Sequence, residues 1–110
     1  MKLVAHEVIL QAVEAVAPVL AKVAKRDREL FEQARDAINS AAMNLEEGAA
    51  FNDGNRQRHW AIAAGSAREV RMALQLAAAH GYVASGEIAA ADALLDRFGA
   101  LTWPLRHSKR

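Results

Sequence analysis

Apolar residues recur at steps of three and four through almost the whole chain, and no stretch alternates apolar with polar as a half-buried strand would. This pattern predicts an all-α protein. A first helix is expected over Lys2 to Val23, with Val4, Val8, Val16, Leu20 and Val23 near one stripe. Pro18 lies inside it, where the missing N–H and the ring's crowding of the preceding turn predict a kink or a boundary. The charged corner Lys25-Arg26-Asp27-Arg28 follows, and Asp27 is placed to accept a bond from the free N–H groups of the next helix start. A second helix is expected from Arg28 to Glu47, turning Leu30, Ala34, Ala37, Ile38, Ala41 and Leu45 inward and ended by Gly48 in the left-handed conformation.

Phe51-Asn52-Asp53-Gly54-Asn55 has turn chemistry, and Asn55 or Asp53 is expected to cap a third helix. That helix should span Arg56 to Ala79, with Trp60, Ala63, Ala67, Val70, Leu74 and Ala77 as its seam. His80-Gly81 ends it. Ser85 is expected to cap a fourth helix that buries Ile88, Ala91, Leu94, Leu95 and Phe98, with Trp103-Pro104 as its end. Four amphipathic segments with short connections fold most simply as an antiparallel up-and-down four-helix bundle. Residues 1–105 would form this single domain, leaving 106–110 as a basic tail.

The chain has 110 residues, which suits one domain, and its 53% hydrophobic content is rich in alanine with only six aromatic residues. The core is therefore thin and built by close helix approach. Met1 to Val23 is apolar, yet His6, Glu7, Glu14 and Lys22 interrupt it, so it reads as a buried amphipathic helix and neither as an export signal nor as a membrane span. The absence of cysteine removes disulfides, thiolate metal sites and cysteine nucleophiles, and fits the reducing cytoplasm.

No constellation carries catalytic chemistry. His6-Glu7 opens like H-E-x-x-H, but Leu10 stands where the second histidine belongs, and no Glu-x-x-His pair of a di-iron bundle is present. His59, His80 and His107 are isolated. Gly65-Ser66 lacks the second glycine of a nucleophile elbow, and Glu46 and Glu47, as helix neighbours, point about 100° apart. No catalytic, cofactor or metal residue is expected, and the chain reads as a non-enzyme.

Charge changes the picture little at first. The net charge is +1, with six Lys/Arg against eight Asp/Glu in residues 1–50 and eight against five in residues 51–110. Arg56, Arg58, His59, Arg68 and Arg71 lie on or near helix three with Trp60 among them, and Arg106, Lys109 and Arg110 extend the set. Such a surface contacts phosphates, or it is a solvated face.

The run from Gln33 to Ser40, then Met43-Asn44-Leu45-Glu46-Glu47-Gly48, Ala63-Ala64-Gly65-Ser66-Ala67-Arg68-Glu69 and His80-Gly81-Tyr82-Val83, resembles the 23S rRNA intervening-sequence (S23-like) four-helix bundle family. That family includes accessory variability proteins of diversity-generating retroelements. The match covers about residues 30–105. Ala41-Ala42 stands where the family usually has Ile-Pro, and Ala64 where it often has a basic residue. The resemblance implies a ring-shaped homopentamer and, for retroelement members, binding to nucleic acid and a reverse transcriptase through a basic surface. The matched Asn44 and Glu47, like Ser66 and Glu69, are i and i+3 pairs that would join a polar network where helices or subunits meet; Asn44 and Glu47 would otherwise only dress a helix end. The expected function is a homo-oligomeric scaffold for a protein or RNA partner, and the alternative is a nucleic-acid-binding accessory protein.

Overall fold

A computed structural model describes residues 2–50 and 54–108 of the chain. Four helices account for most of them: α1 Val4–Ala24, α2 Arg28–Ala50, α3 Arg56–Ala79 and α4 Ser85–His107, with no strand among the described residues. Each helix packs on its sequence neighbours, and α1 closes the ring by packing on α4. Short connections between such neighbours make the arrangement up-down-up-down, in a body of 45 × 22 × 18 Å.

The core follows the periodicity of the sequence. In α1, Ala5, Val8, Ile9, Ala12, Val16, Val19, Leu20 and Val23 are buried, whereas Val4, at the stripe's edge in the first turn, is 54% exposed. By length and composition this helix is apolar enough to cross a membrane; here its apolar stripe is buried against the other helices. No boundary falls at Pro18: the ring is exposed, and the Glu14 carbonyl left without a helical donor belongs to an exposed residue that water can serve. The same holds at Pro104. The fourth helix runs past Trp103-Pro104 to His107, so Arg106 is helical and half-buried and does not begin a tail. Leu94 packs at the core's edge, and Thr102 is fully buried with its hydroxyl donating to the Gly99 carbonyl at 3.1 Å.

Two helix ends behave as the local sequence requires. Asp27 Oδ1 accepts the Leu30 N–H at 3.0 Å, the N-cap bond of α2. At the end of α3, Gly81 adopts φ 78°, its N–H reaches the Ala78 carbonyl, and the Tyr82 N–H reaches that of Ala77, which is a Schellman closure. The Tyr82 hydroxyl then donates to Asp27 Oδ2 at 3.0 Å and ties the two connections at this end of the bundle together. Lys22 and Glu87, 2.8 Å apart, link α1 to α4 nearby.

The start of α4 and the end of α2 differ from expectation, while the start of α3 does not. Ser85 is the first residue of α4 and Ala84 takes the cap position, with Glu87 Oε1 3.5 Å from the Ala84 N–H. Asn55 occupies the N-cap of α3, and its carbonyl accepts the His59 N–H; Asp53 lies outside the described residues. Gly48 does not end α2. It is helical and buried, and a Cβ there would stand 2.5 Å from Trp60 Nε1. The glycine is thus a hole for the indole, whose N–H donates to the Leu45 carbonyl at 3.3 Å. The last turn of α2 is closed from outside: Arg56 Nε donates to the Gly48 carbonyl at 2.8 Å and Nη2 to that of Ala49 at 3.4 Å, a cation at the negative end of a helix dipole.

Two consequences are measurable. Gly48→Ala must push the indole or separate α2 from α3, and is expected to destabilise the fold by about 1–3 kcal/mol in urea unfolding followed by circular dichroism. The Leu30 N–H, with the Tyr82 hydroxyl second, holds the Asp27 carboxyl below its ordinary value of 3.8. Stability from this group is therefore complete above that value and lost as pH falls through the lower folded value. Asp27→Asn, whose amide oxygen still accepts but does not titrate, is expected to flatten the acid limb of stability measured below about pH 4.

Candidate interaction surface

The face between α2 and α3 carries a polar seam above the Trp60 anchor. Ser40 and Ser66 meet hydroxyl to hydroxyl at 2.8 Å. Asn44, one turn from Ser40, donates through Nδ2 to the Ser40 carbonyl at 3.0 Å and lies 3.2 Å from its hydroxyl. Its amide oxygen, 3.0 Å from His59 Nδ1, accepts that ring's proton. Every member is at least half-buried and bonded, so the seam fixes the register of α2 on α3 without orphaned polar groups. Asn44 and Ser66 thus join a network between helices of one chain. Glu47 and Glu69 are exposed and take no part: each lies about 60° around its helix from Asn44 or Ser66, and the rotation carries it to the solvent side. Ser40 and His59 complete the network; the i, i+4 spacing of Ser40 and Asn44 was the signal for one of them.

His6 also has a structural job. Its Nδ1 accepts the Leu3 N–H at 2.9 Å, which leaves the proton on Nε2 to donate to Glu46 Oε1 at 3.0 Å. Among the described residues no group of three or more His, Asp or Glu side chains is arranged to hold a metal ion.

The arginines do not all form one basic surface: Arg68, Arg71 and Arg106 line one groove between α3 and α4, and Arg56 is held apart at the end of α2. Arg56 is engaged with the carbonyls of α2, its guanidinium 5.3 Å over the Trp60 ring. Arg71 is held by α4: Nε and Nη2 grip Asp92 at 2.9 and 3.2 Å, and Nη1 bonds Asp96 at 3.0 Å. The Asp92 hydrogen bond raises its pKa further above the ordinary value. The acidic i, i+4 pair Asp92 and Asp96 was the sequence signal that this arginine would be neutralised. Arg58 and Arg68 are exposed, with no hydrogen bond or ion pair among the described residues. Arg106 lies 5.2 Å over the ring of Trp103, which also stacks on His107. Lys109 and Arg110 fall outside the described residues.

Large apolar side chains also face outward. Ile62 is 36% exposed, Met72 55% and Leu76 39%, all on α3. Gly65 and Glu69 lie between them, so 62, 65, 69, 72 and 76 step by three and four along the side of α3 opposite its core seam. Gly65, Arg68, Glu69 and Met72 border an open depression there.

Compared with known proteins, the chain matches no family model, no curated protein and no solved structure.

Proposed function

We propose that this chain is a non-enzymatic helical scaffold that works as a homo-oligomer and holds a protein or RNA partner in the cytoplasm. The outward face of α3 supports this reading. A glycine in a helix interior costs about 0.5–1 kcal/mol relative to alanine. At Gly48 the Trp60 indole accounts for that cost. At Gly65 nothing among the described residues does, since a Cβ would meet no atom within 4 Å. The glycine sits in a second heptad-spaced seam with Ile62, Met72 and Leu76, the pattern that lets another helix lie close. A second copy is the occupant that suits it: Arg68 and Glu69, adjacent and without an ion pair among the described residues, offer a self-complementary charge pair beside the apolar positions. The resemblance to S23-like bundles supports a ring, with five as its number.

A nucleic-acid accessory role is the second reading. The unpaired Arg58 and Arg68 favour it, while Arg56 and Arg71 are spent inside the fold.

Size-exclusion chromatography with light scattering is expected to give a multiple of the chain mass, and a monomer at micromolar concentration would contradict the scaffold. Met72→Glu with Leu76→Glu should dissociate the assembly and leave helicity intact. Gly65→Ala should raise the stability of the separated chain by about 0.5–1 kcal/mol while weakening association.

A further inference from the structure

A groove of about 340 Å³ runs between α3 and α4, beside the outward seam of α3. Its floor is small: Ala64 on α3 and Gly99 and Ala100 on α4. A Cβ at Gly99 would meet nothing within 4 Å, so the missing side chain is what leaves the space open. Trp103, 57% exposed, forms one wall.

The charges lining this groove are unequal. Arg68, Arg71 and Arg106 face a single carboxylate, Asp96, which is bonded to Arg71. Arg68 and Arg106 pair with no carboxylate among the described residues. Arg106 adds a more pointed observation, for its Nε–H is buried and has no hydrogen-bond acceptor. A buried charged donor without an acceptor is costly, and Arg106 lines the groove, so an oxyanion that reaches this guanidinium edge from the groove relieves an existing penalty. Two unspent guanidinium groups match a phosphate monoester, which carries about −1.5 to −2 charge at pH 7, better than a carboxylate, which would satisfy one. The groove also exceeds what inorganic phosphate fills and lies at the lower end of the range of about 300–1,000 Å³ for small-molecule sites.

We propose that the α3–α4 groove binds a small phosphate monoester, with its phosphate between Arg106 and Arg68 and its organic part over Gly99 along Trp103. The site needs neither the apolar positions of the outward seam nor a second copy; it shares Arg68 with the scaffold reading, and Met72→Glu with Leu76→Glu, which leaves Arg68 in place, separates the two.

The test is to titrate ¹⁵N-labelled protein with adenosine monophosphate and, separately, adenosine, following the Arg106 Nε–H and Trp103 indole signals. The monophosphate should move both signals saturably, and adenosine should not. Arg106→Gln and Arg68→Gln are each expected to weaken binding about tenfold, the loss of one charged hydrogen bond. Arg58→Gln, outside the groove, should leave binding unchanged. Gly99→Leu, at a position where a Cβ meets no atom within 4 Å, fills the open space while leaving both arginines in the sequence, favours the helix, and should block binding even if the Arg106 variant folds poorly. A 5′-phosphorylated RNA oligomer that displaces the monophosphate, while its 5′-hydroxyl counterpart does not, would support the same chemistry and name an RNA end as its source. The proposal is overturned by unsaturable shifts, by an Arg58→Gln variant that binds as weakly as Arg68→Gln, or by equal displacement with both oligomers.

Discussion

The bundle is organised around one side chain in one gap: the Trp60 indole lies where Gly48 has no Cβ, and its N–H is bonded to the α2 backbone at Leu45. Any larger residue at 48 would meet the indole, so this glycine sets how closely α2 and α3 pack at Trp60. Arg56, one turn before Trp60, caps the same end of α2 and covers the indole. From this anchor the Asn44, His59, Ser40 and Ser66 seam carries the register along the pair. Alanines are interchangeable as packing surface, and a thin alanine-rich core would otherwise specify rotation poorly. The indole and the polar seam supply the missing specification.

Fixing the rotation of α3 inward also fixes what it shows outward. With Trp60, Ala63, Ala67, Val70 and Leu74 turned to the core, the 3.6-residue period leaves Ile62, Gly65, Met72 and Leu76 on the opposite side. The same constraint aims Arg71 at Asp92 and Asp96 on α4 and leaves Arg68 free at the edge of the α3–α4 groove. The outward apolar seam and the groove are therefore two results of one anchored helix. The opposite end of the bundle is fastened separately, by Asp27 with Tyr82 and by Lys22 with Glu87.

The helices were legible because burial imposes periodicity, and periodicity survives in a single sequence. Asp27 and Gly81 were legible as caps because capping is local. Gly48 was not: a glycine after a helical run reads as a terminator, and only the indole twelve residues later gives it another role. Pro18 and Pro104 read as interruptions because a sequence does not say that their rings face solvent. The arginines misled for a similar reason. Charge on a helix is visible, but the carboxylate or carbonyl that consumes it comes from another helix, as with Arg71 and Arg56. The free and buried donor of Arg106 depends on the packing of α4 beyond a proline that appeared to end it.

On the function proposed above, the face of α3 turned outward by the Trp60 anchor is covered by a second copy. The chain has no cysteine, so a single thiol can be placed at will. The most direct measurement is the rate of thiol modification in Met72→Cys as protein concentration is raised, against Gln11→Cys on the exposed side of α1 as reference. The account predicts protection at position 72 that grows with concentration while position 11 keeps its rate. Equal rates at both positions across that range would contradict it.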